Sequence, residues 1–269
     1  MSRESETIEL AALTAMHETA PPAVRAALGL ALHDLGGVTV SVAAREPSIL
    51  INRALGLGVF APGSRAAVRA VKATYEQAGV RRYFLHVHPE AEPATLRACL
   101  AEERLVPYRR WAKFLHEGTP RPQPEAAAPF RVERIGARHA ADFGRIAAAA
   151  FDLTEGSAAM LAAMVDDARW RLYVVFDGDV PAGTGAMFVR GDAAWLDFGA
   201  TDPAYRSRGV HRLRLARALA DAEAIGCKRV MTETGEWVEG DPQHSYKNIE
   251  RAGFRMVYLR DNYVPAQPA

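Results

Sequence analysis

The sequence lacks a surplus of either charge. It has 33 lysines and arginines against 32 aspartates and glutamates, which gives a formal net charge of +1. Proteins that bind nucleic acid through its phosphate backbone normally carry a clustered excess of cations. The balance therefore argues against nucleic acid as a partner. The basic residues that do cluster fit a small phosphorylated ligand better than a polymer: Arg206, Arg208, Arg212 and Arg214.

Cysteine is scarce, and long apolar runs are missing. Cys99 and Cys227 lie in separate apolar segments, which favours two buried free thiols in a reducing compartment over a disulfide. No segment reaches the roughly 18 to 20 apolar residues that a membrane span needs. The first ten residues are polar and acidic, unlike a signal peptide. These features predict a soluble, cytoplasmic protein without a membrane partner.

Motifs for the common nucleotide and metal sites are also missing. The sequence contains neither the GxxxxGK[ST] of a P-loop nor a GxGxxG after a strand. His86 and His88 face one side of a predicted strand, but two ligands without a third nearby are typical of ordinary strand histidines. We therefore expect no metal.

The length of 269 residues favours two domains. A proline-rich stretch, GTPRPQPEAAAP at residues 118–129, has neither helical nor strand periodicity and predicts a linker. The predicted domains are therefore residues 1–117 and 130–269.

Apolar periodicity predicts the elements of the second domain. Strands are expected at residues 130–135, 171–177, 184–190, 193–201, 228–234 and 254–264, and helices at 137–151, 157–168, 209–225 and 245–252. This order indicates an α/β fold.

The first domain has a weaker version of the same order. Its predicted elements are a helix at 64–78, a strand at 81–88, a helix at 94–103 and a strand at 108–116, and AGVRRYFLHVHP is comparable with IGCKRVMTETGE. Internal duplication is the favoured interpretation. Two α/β units that are alike by coincidence remain the alternative.

The passage from strand 193–201 into helix 209–225 predicts an anion site. The first N–H groups of a helix have no intrahelical acceptor and point outward. Gly209 lets the backbone approach a ligand closely, and Arg206 and Arg208 supply charge-assisted contacts. The loop thus predicts phosphate binding.

This segment resembles the coenzyme A motif of the GNAT N-acetyltransferases. In TDPAYRSRGVHRLRLARALADAEAIGCKRV, Arg206 and Gly209 hold the first and fourth positions of the family pattern [QR]xxGx[GA]. The later SYKNIERAGFRMVYLRDNY is similar to the family's late helix and closing strand, so the resemblance covers residues 130–265. One departure is His211 at the sixth position, where a side chain either adds a donor to phosphate or crowds it.

The resemblance implies an α/β (α+β) fold of tandem GNAT-like domains, with a mixed, splayed β-sheet flanked by helices. The pantetheine arm of acetyl-coenzyme A would lie between strands 193–201 and 228–234. The residues implied in coenzyme binding are Gly199, Ala200 and Thr201 for pantetheine, the loop Arg206, Ser207, Arg208, Gly209, Val210 and His211 for pyrophosphate, and Ser245 and Asn248 from the late helix.

Acyl transfer to an amine needs a base and an acid within hydrogen-bond reach. Period-two alternation places Asp197 on the face of Gly199, opposite residues 196, 198 and 200, which makes Asp197 the first candidate base. Glu233 on the neighbouring strand is the second. Many members of the family have a tyrosine that acts as general acid four residues before the glycine of the GF pair. That position is Ile249 here, so Tyr246, one turn earlier, is the candidate acid. The alternatives are a solvated or arginine-paired Asp197, a salt-bridged Glu233 and a Tyr246 packed on the sheet.

The first domain has no counterpart of the phosphate loop. The chain there reads LGLGVFAPGSRAAV, and we expect a degenerate copy that shapes the acceptor site or buries the interdomain face, without a coenzyme of its own. The resemblance implies an acetyl-coenzyme A-dependent N-acetyltransferase, metal-free, that uses a direct ternary-complex mechanism on a small-molecule or peptide amine. A catalytically weak coenzyme-binding sensor is the alternative, and homodimer formation stays open.

Overall fold

A computed structural model describes residues 2–91, 94–118, 130–241 and 243–267 of the protein. Of the predicted linker 118–129, all but Gly118 lies outside these residues. The helices are α1 (Ser2–Thr19), α2 (Pro22–Leu28), α3 (Arg65–Gln77), α4 (Ala94–Glu102), α5 (Ala140–Ala150), α6 (Glu155–Ala163), α7 (Val210–Ala224) and α8 (His244–Arg251).

The strands are β1 (Leu30–Asp34), β2 (Thr39–Ala43), β3 (Arg53–Leu57), β4 (Phe84–Val87), β5 (Leu105–Glu117), β6 (Phe130–Arg134), β7 (Trp170–Asp177), β8 (Val180–Arg190), β9 (Ala193–Thr201), β10 (Arg229–Gly235) and β11 (Arg255–Pro265). Every predicted helix and strand is confirmed to within five residues at its ends. The sequence did not predict α1, α2 or β1 to β3.

All of these strands form one mixed sheet in the order β1-β2-β3-β4-β11-β5-β10-β9-β8-β7-β6. Two neighbouring pairs are parallel, β3 with β4 and β9 with β10, and the other pairs are antiparallel. The chain runs β3-α3-β4-α4-β5 in its first part and β9-α7-β10-α8-β11 in its second. The two parts therefore repeat one order of elements, each built around one parallel pair.

The closing strands of the two parts are exchanged. β5 lies between β11 and β10, and β11 lies between β4 and β5. Each part thus completes its sheet with the last strand of the other. The predicted boundaries, 1–117 and 130–269, stay a prediction about the chain, while the sheet runs continuously across both parts.

Helices cover both faces of the sheet. On one side, called the α1 face, α1, α5 and α6 bury a core that includes Leu13, Met16, Phe143, Met160 and Trp195. On the other, called the α7 face, α3 and α4 cover the first part of the sheet, and α7 and α8 cover the second. Side chains that alternate along a strand therefore enter two different cores.

The apolar stripe of α7 explains how this helix is held. Leu215, Ala218, Leu219 and Ala222 are buried against the sheet as their spacing predicts, and burying each leucine contributes roughly 1.5 to 3 kcal/mol. Ile225, also predicted in the stripe, is 39% exposed because the helix ends at Ala224. The stripe fixes the start of α7 against β8 and β9.

None of the described helices is long and apolar enough to cross a membrane. Both cysteines are free thiols. Cys99 is buried as predicted, whereas Cys227 is only half-buried.

Candidate functional site

The parallel strands β9 and β10 pair over only three positions and then part. The paired residues are Ala193 to Trp195 with Arg229 to Met231. Past them the hydroxyl of Thr232 donates to the carbonyl of Leu196 at 3.0 Å. Residues 196–199 and 232–235 then line opposite sides of a cavity of about 250 Å³. The splayed sheet is thereby confirmed.

A β-bulge in β9 changes which face of the sheet Phe198 and Gly199 point to at this split. One extra residue separates Asp197 from Ala200 in the register with β8, and Phe198 has a φ of 48°. Phe198 consequently packs into the core of the α1 face, and Gly199 turns toward Arg214 of α7. The predicted alternation is therefore wrong from residue 198 onward: Asp197 and Gly199 do not share a face, because the bulge interrupts the period of two.

The loop before α7 has the open geometry expected of an anion site. Gly209, at φ 89°, is the N-cap, and no side chain caps the helix. The first N–H groups of α7 therefore keep their free hydrogen-bonding capacity. Arg206, Ser207 and Arg208 are exposed. Arg208 lies 3.2 Å from Asp177, so part of its charge is already compensated.

His211 and Arg214 turn from the start of α7 into the cavity. Nη2 of Arg214 lies 3.1 Å from Nε2 of His211. Burial, and then the nearby Arg214, lower the pKa of His211 to about 3, so the imidazole is neutral and its Nε2 accepts from the guanidinium. The His211 side chain points inward, not toward the exposed loop where phosphate was expected.

Arg214 is a buried cation without a direct carboxylate partner among the residues that the structure describes. It is 4% exposed, and its Nε has no hydrogen-bond acceptor there. Burial lowers the pKa of Arg214 to about 10, although Asp197 opposes the shift. Gly185 and Gly199 make room for it, because a Cβ at either position would clash with the Arg214 side chain. Such a cation favours an electron-rich ligand in the cavity.

Asp197 lies in the cavity with its carboxylate held by two donors. Nε1 of Trp195 donates to it at 3.2 Å and the backbone N–H of Phe198 at 2.8 Å. Burial raises the pKa of Asp197, while Arg53 acts in the opposite direction. No ion pair to Asp197 is present in the described part of the chain. Its environment therefore holds the carboxylate in place while favouring the uptake of a proton.

Glu233 belongs to a buried group of three acids and three bases that lies on the α1 face and is called the central charge cluster. It joins α1, β3, β5, β10 and β11 through Glu6, Glu9, Arg53, Lys113, Glu233 and Arg260. Glu233 lies 2.8 Å from Lys113, 3.0 Å from Arg260 and 3.4 Å from Arg53. The salt-bridged strand end, one of the two interpretations of Glu233, is thus what the structure has.

The same cluster perturbs two carboxylates in opposite directions. Burial and then the charge of Glu9 raise the pKa of Glu233 to about 7. Burial also acts to raise the pKa of Glu9, but Arg260, Lys113 and Arg53 hold it well below its usual range. Glu9 is therefore the permanent anion of the cluster, and Glu233 is the group that exchanges a proton near neutrality.

Of the residues expected on α8, only Ser245 lines the cavity, together with Ile249. Tyr246 is not among the described lining residues, and its ring packs edge-on against Phe114 at 4.9 Å. Asn248 also lies outside the lining and is 3.5 Å from a guanidinium nitrogen of Arg251. The structure thus brings Asp197, Glu233, Gly199, His211 and Ser245 together and leaves Tyr246 and Asn248 apart from them.

The cavity reaches both faces of the sheet through the split. On the α7 face its walls are His211, Arg214, Ser245 and Ile249, and on the α1 face they are Asp197, Glu233, Arg53 and Trp111. Arg53 and Trp111, from β3 and β5, were missed by the sequence predictions because they come from the first part of the chain, far in sequence from β9, β10, α7 and α8. The cavity can therefore hold one ligand beside α7 and a second beside α1, in contact with each other at the split.

The two strand histidines are engaged in other contacts. Nδ1 of His86 lies 2.6 Å from Oδ1 of Asn262, and Nδ1 of His88 accepts from the N–H of Glu90. Within the described ranges, no three histidine, cysteine, aspartate or glutamate residues are grouped as metal ligands.

Comparison with known proteins gives a family match for part of the chain and a fold for most of it. Residues 141–254 match the acetyltransferase (GNAT) family model, whereas no curated protein matches the sequence. A GCN5-related N-acetyltransferase from Kribbella flavida superposes with a TM-score of 0.61 at 17% identity, over 89% of this chain and 90% of that one.

Two further solved structures have the same fold. A GCN5-related N-acetyltransferase from Sphaerobacter thermophilus has a TM-score of 0.60 at 13% identity and covers 88% of this chain and 84% of its own. A tandem GNAT protein from the clavulanic acid biosynthesis pathway has a TM-score of 0.55 at 15% identity, over 86% of this chain and 79% of its own. The fold is therefore that of tandem GNAT-like domains, with the family match in the second.

Proposed function

We propose that the protein transfers an acetyl group from acetyl-coenzyme A to an amine, by direct attack in a ternary complex. The match of residues 141–254 to the acetyltransferase (GNAT) family model supports this proposal. The observation that carries this proposal is the cavity through the split between β9 and β10, with an open helix end on one side and two carboxylates on the other. The acceptor is a small-molecule or peptide amine.

The coenzyme enters from the α7 face. The backbone of the loop from Arg206 to His211 binds the pyrophosphate through the free N–H groups at the start of α7. The parted edge of β9 at Gly199, Ala200 and Thr201 offers backbone groups to the pantetheine amides. Arg214 supports this fit, because its buried guanidinium lacks a carboxylate partner among the described residues and faces the same channel.

The amine enters from the α1 face, where Asp197 and Glu233 lie. When bound, the coenzyme supplies the thioester whose carbonyl carbon the amine attacks. Asp197, or a water it holds, removes the proton from the amine. Glu233, whose pKa is raised to about 7 by burial and by Glu9, is the alternative base. The proton that the base removes from the amine passes to the thiolate as the carbon–sulfur bond breaks. Tyr246, the acid expected from the sequence, keeps this role only if α8 moves, since its ring packs on Phe114.

Two measurements test the proposal. Calorimetry is expected to show saturable binding of acetyl-coenzyme A, and thiol release is expected to depend on an added amine. Asp197→Asn should lower the amine-dependent rate by about 10² to 10⁴ while coenzyme binding persists. The matched control is Asp179→Asn, in an exposed turn, which should leave the rate unchanged.

The outcomes separate the candidate functions. Absence of saturable coenzyme binding would end the proposal. An unchanged rate in Asp197→Asn would remove Asp197 from the base role and leave Glu233→Gln as the decisive variant. Binding without transfer to any amine of a broad panel would instead make the protein a coenzyme-binding sensor.

A further inference from the structure

A second cavity continues the first one on the α1 face. It has a volume of about 350 Å³ and shares Leu50, Trp111 and Phe151 with the cavity at the split. Three common lining residues place the two spaces side by side, and we treat them as one passage. We call this second space the aromatic groove.

Four aromatic rings line the groove, beside Pro47, Ile49 and Leu50. Phe84 lies 5.4 Å from Tyr108 and 5.3 Å from Trp111, measured between ring centroids, and Phe151 belongs to the same lining. Tyr108 is 45% exposed although it adjoins these rings. Aromatic side chains gain most when they pack edge-on or offset against another ring, so the exposed ring surface is suited to an aromatic guest.

The charged residues of the passage lie toward its two ends. Asp197, Glu233, Arg53 and Arg214 line the inner cavity, where the Arg53 guanidinium is 5.9 Å from the ring centroid of Trp111. Arg82 and Asp152 lie at the outer end and are exposed. The stretch between them is formed by the shared apolar residues and the rings. A ligand with an amine at one end and an apolar ring at the other fits this arrangement of charged and apolar walls.

We propose that the acceptor is an amine carried by a short alkyl chain on an aromatic ring, with the ring in the aromatic groove. This inference rests on the proposed function, since it names the substrate class of the same site. The amine reaches Asp197 through the split, and Trp111 contacts the chain between amine and ring. The first part of the molecule, which supplies Leu50, Phe84, Tyr108 and Trp111, is then the acceptor-binding half.

The test compares amines of matched reach in the thiol-release assay. 2-Phenylethylamine is expected to exceed n-butylamine and 2-cyclohexylethylamine in kcat/KM by about five- to tenfold, the range of one aromatic contact. Tyr108→Ala should remove most of this preference while changing the kcat/KM of n-butylamine less than about twofold. The control is Trp237→Ala, because Trp237 is 49% exposed and does not line either cavity.

A binding measurement separates this inference from the proposed function. Direct titration of 2-phenylethylamine is expected to show binding that Tyr108→Ala weakens, with or without turnover. If the aromatic amine binds in this way but no amine is acetylated, the groove stands and the proposed function fails. If all three amines react equally, or only polar amines react, the groove assignment is overturned and the proposed function stands.

Discussion

Replacing Glu9 by glutamine removes one of the three negative charges of the central charge cluster. Glu9 is fully buried and lies 3.1 Å from Arg53, 2.5 Å from Lys113 and 2.5 Å from Arg260. Its loss leaves three cations against Glu6 and Glu233, so one positive charge is uncompensated. Breaking a buried ion pair in this way costs about 3 to 5 kcal/mol, out of a total stability of about 5 to 15 kcal/mol.

The same variant should change the titration of Glu233. Burial and the charge of Glu9 raise the pKa of Glu233 to about 7; without that charge the pKa falls. A carboxyl with a raised folded pKa adds stability below its unfolded value of 4.5, and this is lost as pH rises toward about 7. If Glu233 acts as a base, the acid limb of kcat/KM moves to lower pH in Glu9→Gln.

Urea unfolding at pH 7.5 and a pH profile of kcat/KM check the two effects. Glu4→Gln is the matched control, since Glu4 lies on the same helix in a partly exposed pair with Arg229 and should cost less than about 1 kcal/mol. Equal stability losses in the two variants would refute the account of the cluster. An acid limb that moves to higher pH would refute the assignment of Glu233.

Three further outcomes are expected. Arg214→Leu should raise the free energy of unfolding by about 1 to 4 kcal/mol in urea, because it removes a buried charge that has no carboxylate partner among the described residues. It should also weaken acetyl-coenzyme A binding in calorimetry. Gly209→Ala places a side chain at φ 89°, so it should lower the free energy of unfolding by about 1 kcal/mol. The free energy of coenzyme binding should fall by more than this amount. Burial lowers the pKa of His17 to about 4 and of His211 to about 3. Burial also lowers the pKa of His86 well below its usual range, so all three histidines bind protons only on unfolding as pH falls below 6.5. Glu233 and Asp197, whose pKa values are raised, contribute in the opposite direction, and the stability should drop by about 1 to 2 kcal/mol per pH unit between 6 and 5; a flat profile would contradict this.

The second part of the chain was largely predictable because its signals are local. The apolar stripe of α7 and the glycine at its start both lie within one short segment, and β9 was predicted with its observed bounds, Ala193–Thr201. The bulge at Phe198 was not predictable in this way. Nothing in the alternation of β9 distinguishes an added residue, because the bulge shows only in its register with β8.

The first helix shows a different limit. α1 buries Glu6 and Glu9, and charged residues in a helix are ordinarily expected on its solvent side. Their partners lie on β3, β5, β10 and β11, as many as 254 residues away in sequence. A buried cluster of balanced charges therefore cannot be predicted from the sequence of α1, because its members come together only in the folded protein.

The exchange of closing strands explains how the first part of the chain contributes to the candidate site. In the first part, β3 and β4 pair again at Leu57 and Val87 after a shift in register, and the start of α3 is capped by Ser64, whose hydroxyl accepts from the N–H of Ala67. A paired edge and a capped helix offer no channel like that at β9 and α7. The same part nevertheless places β5 beside β10, and with it Lys113 against Glu233. The proposed chemistry in the second part thus depends on a strand that only the first part supplies.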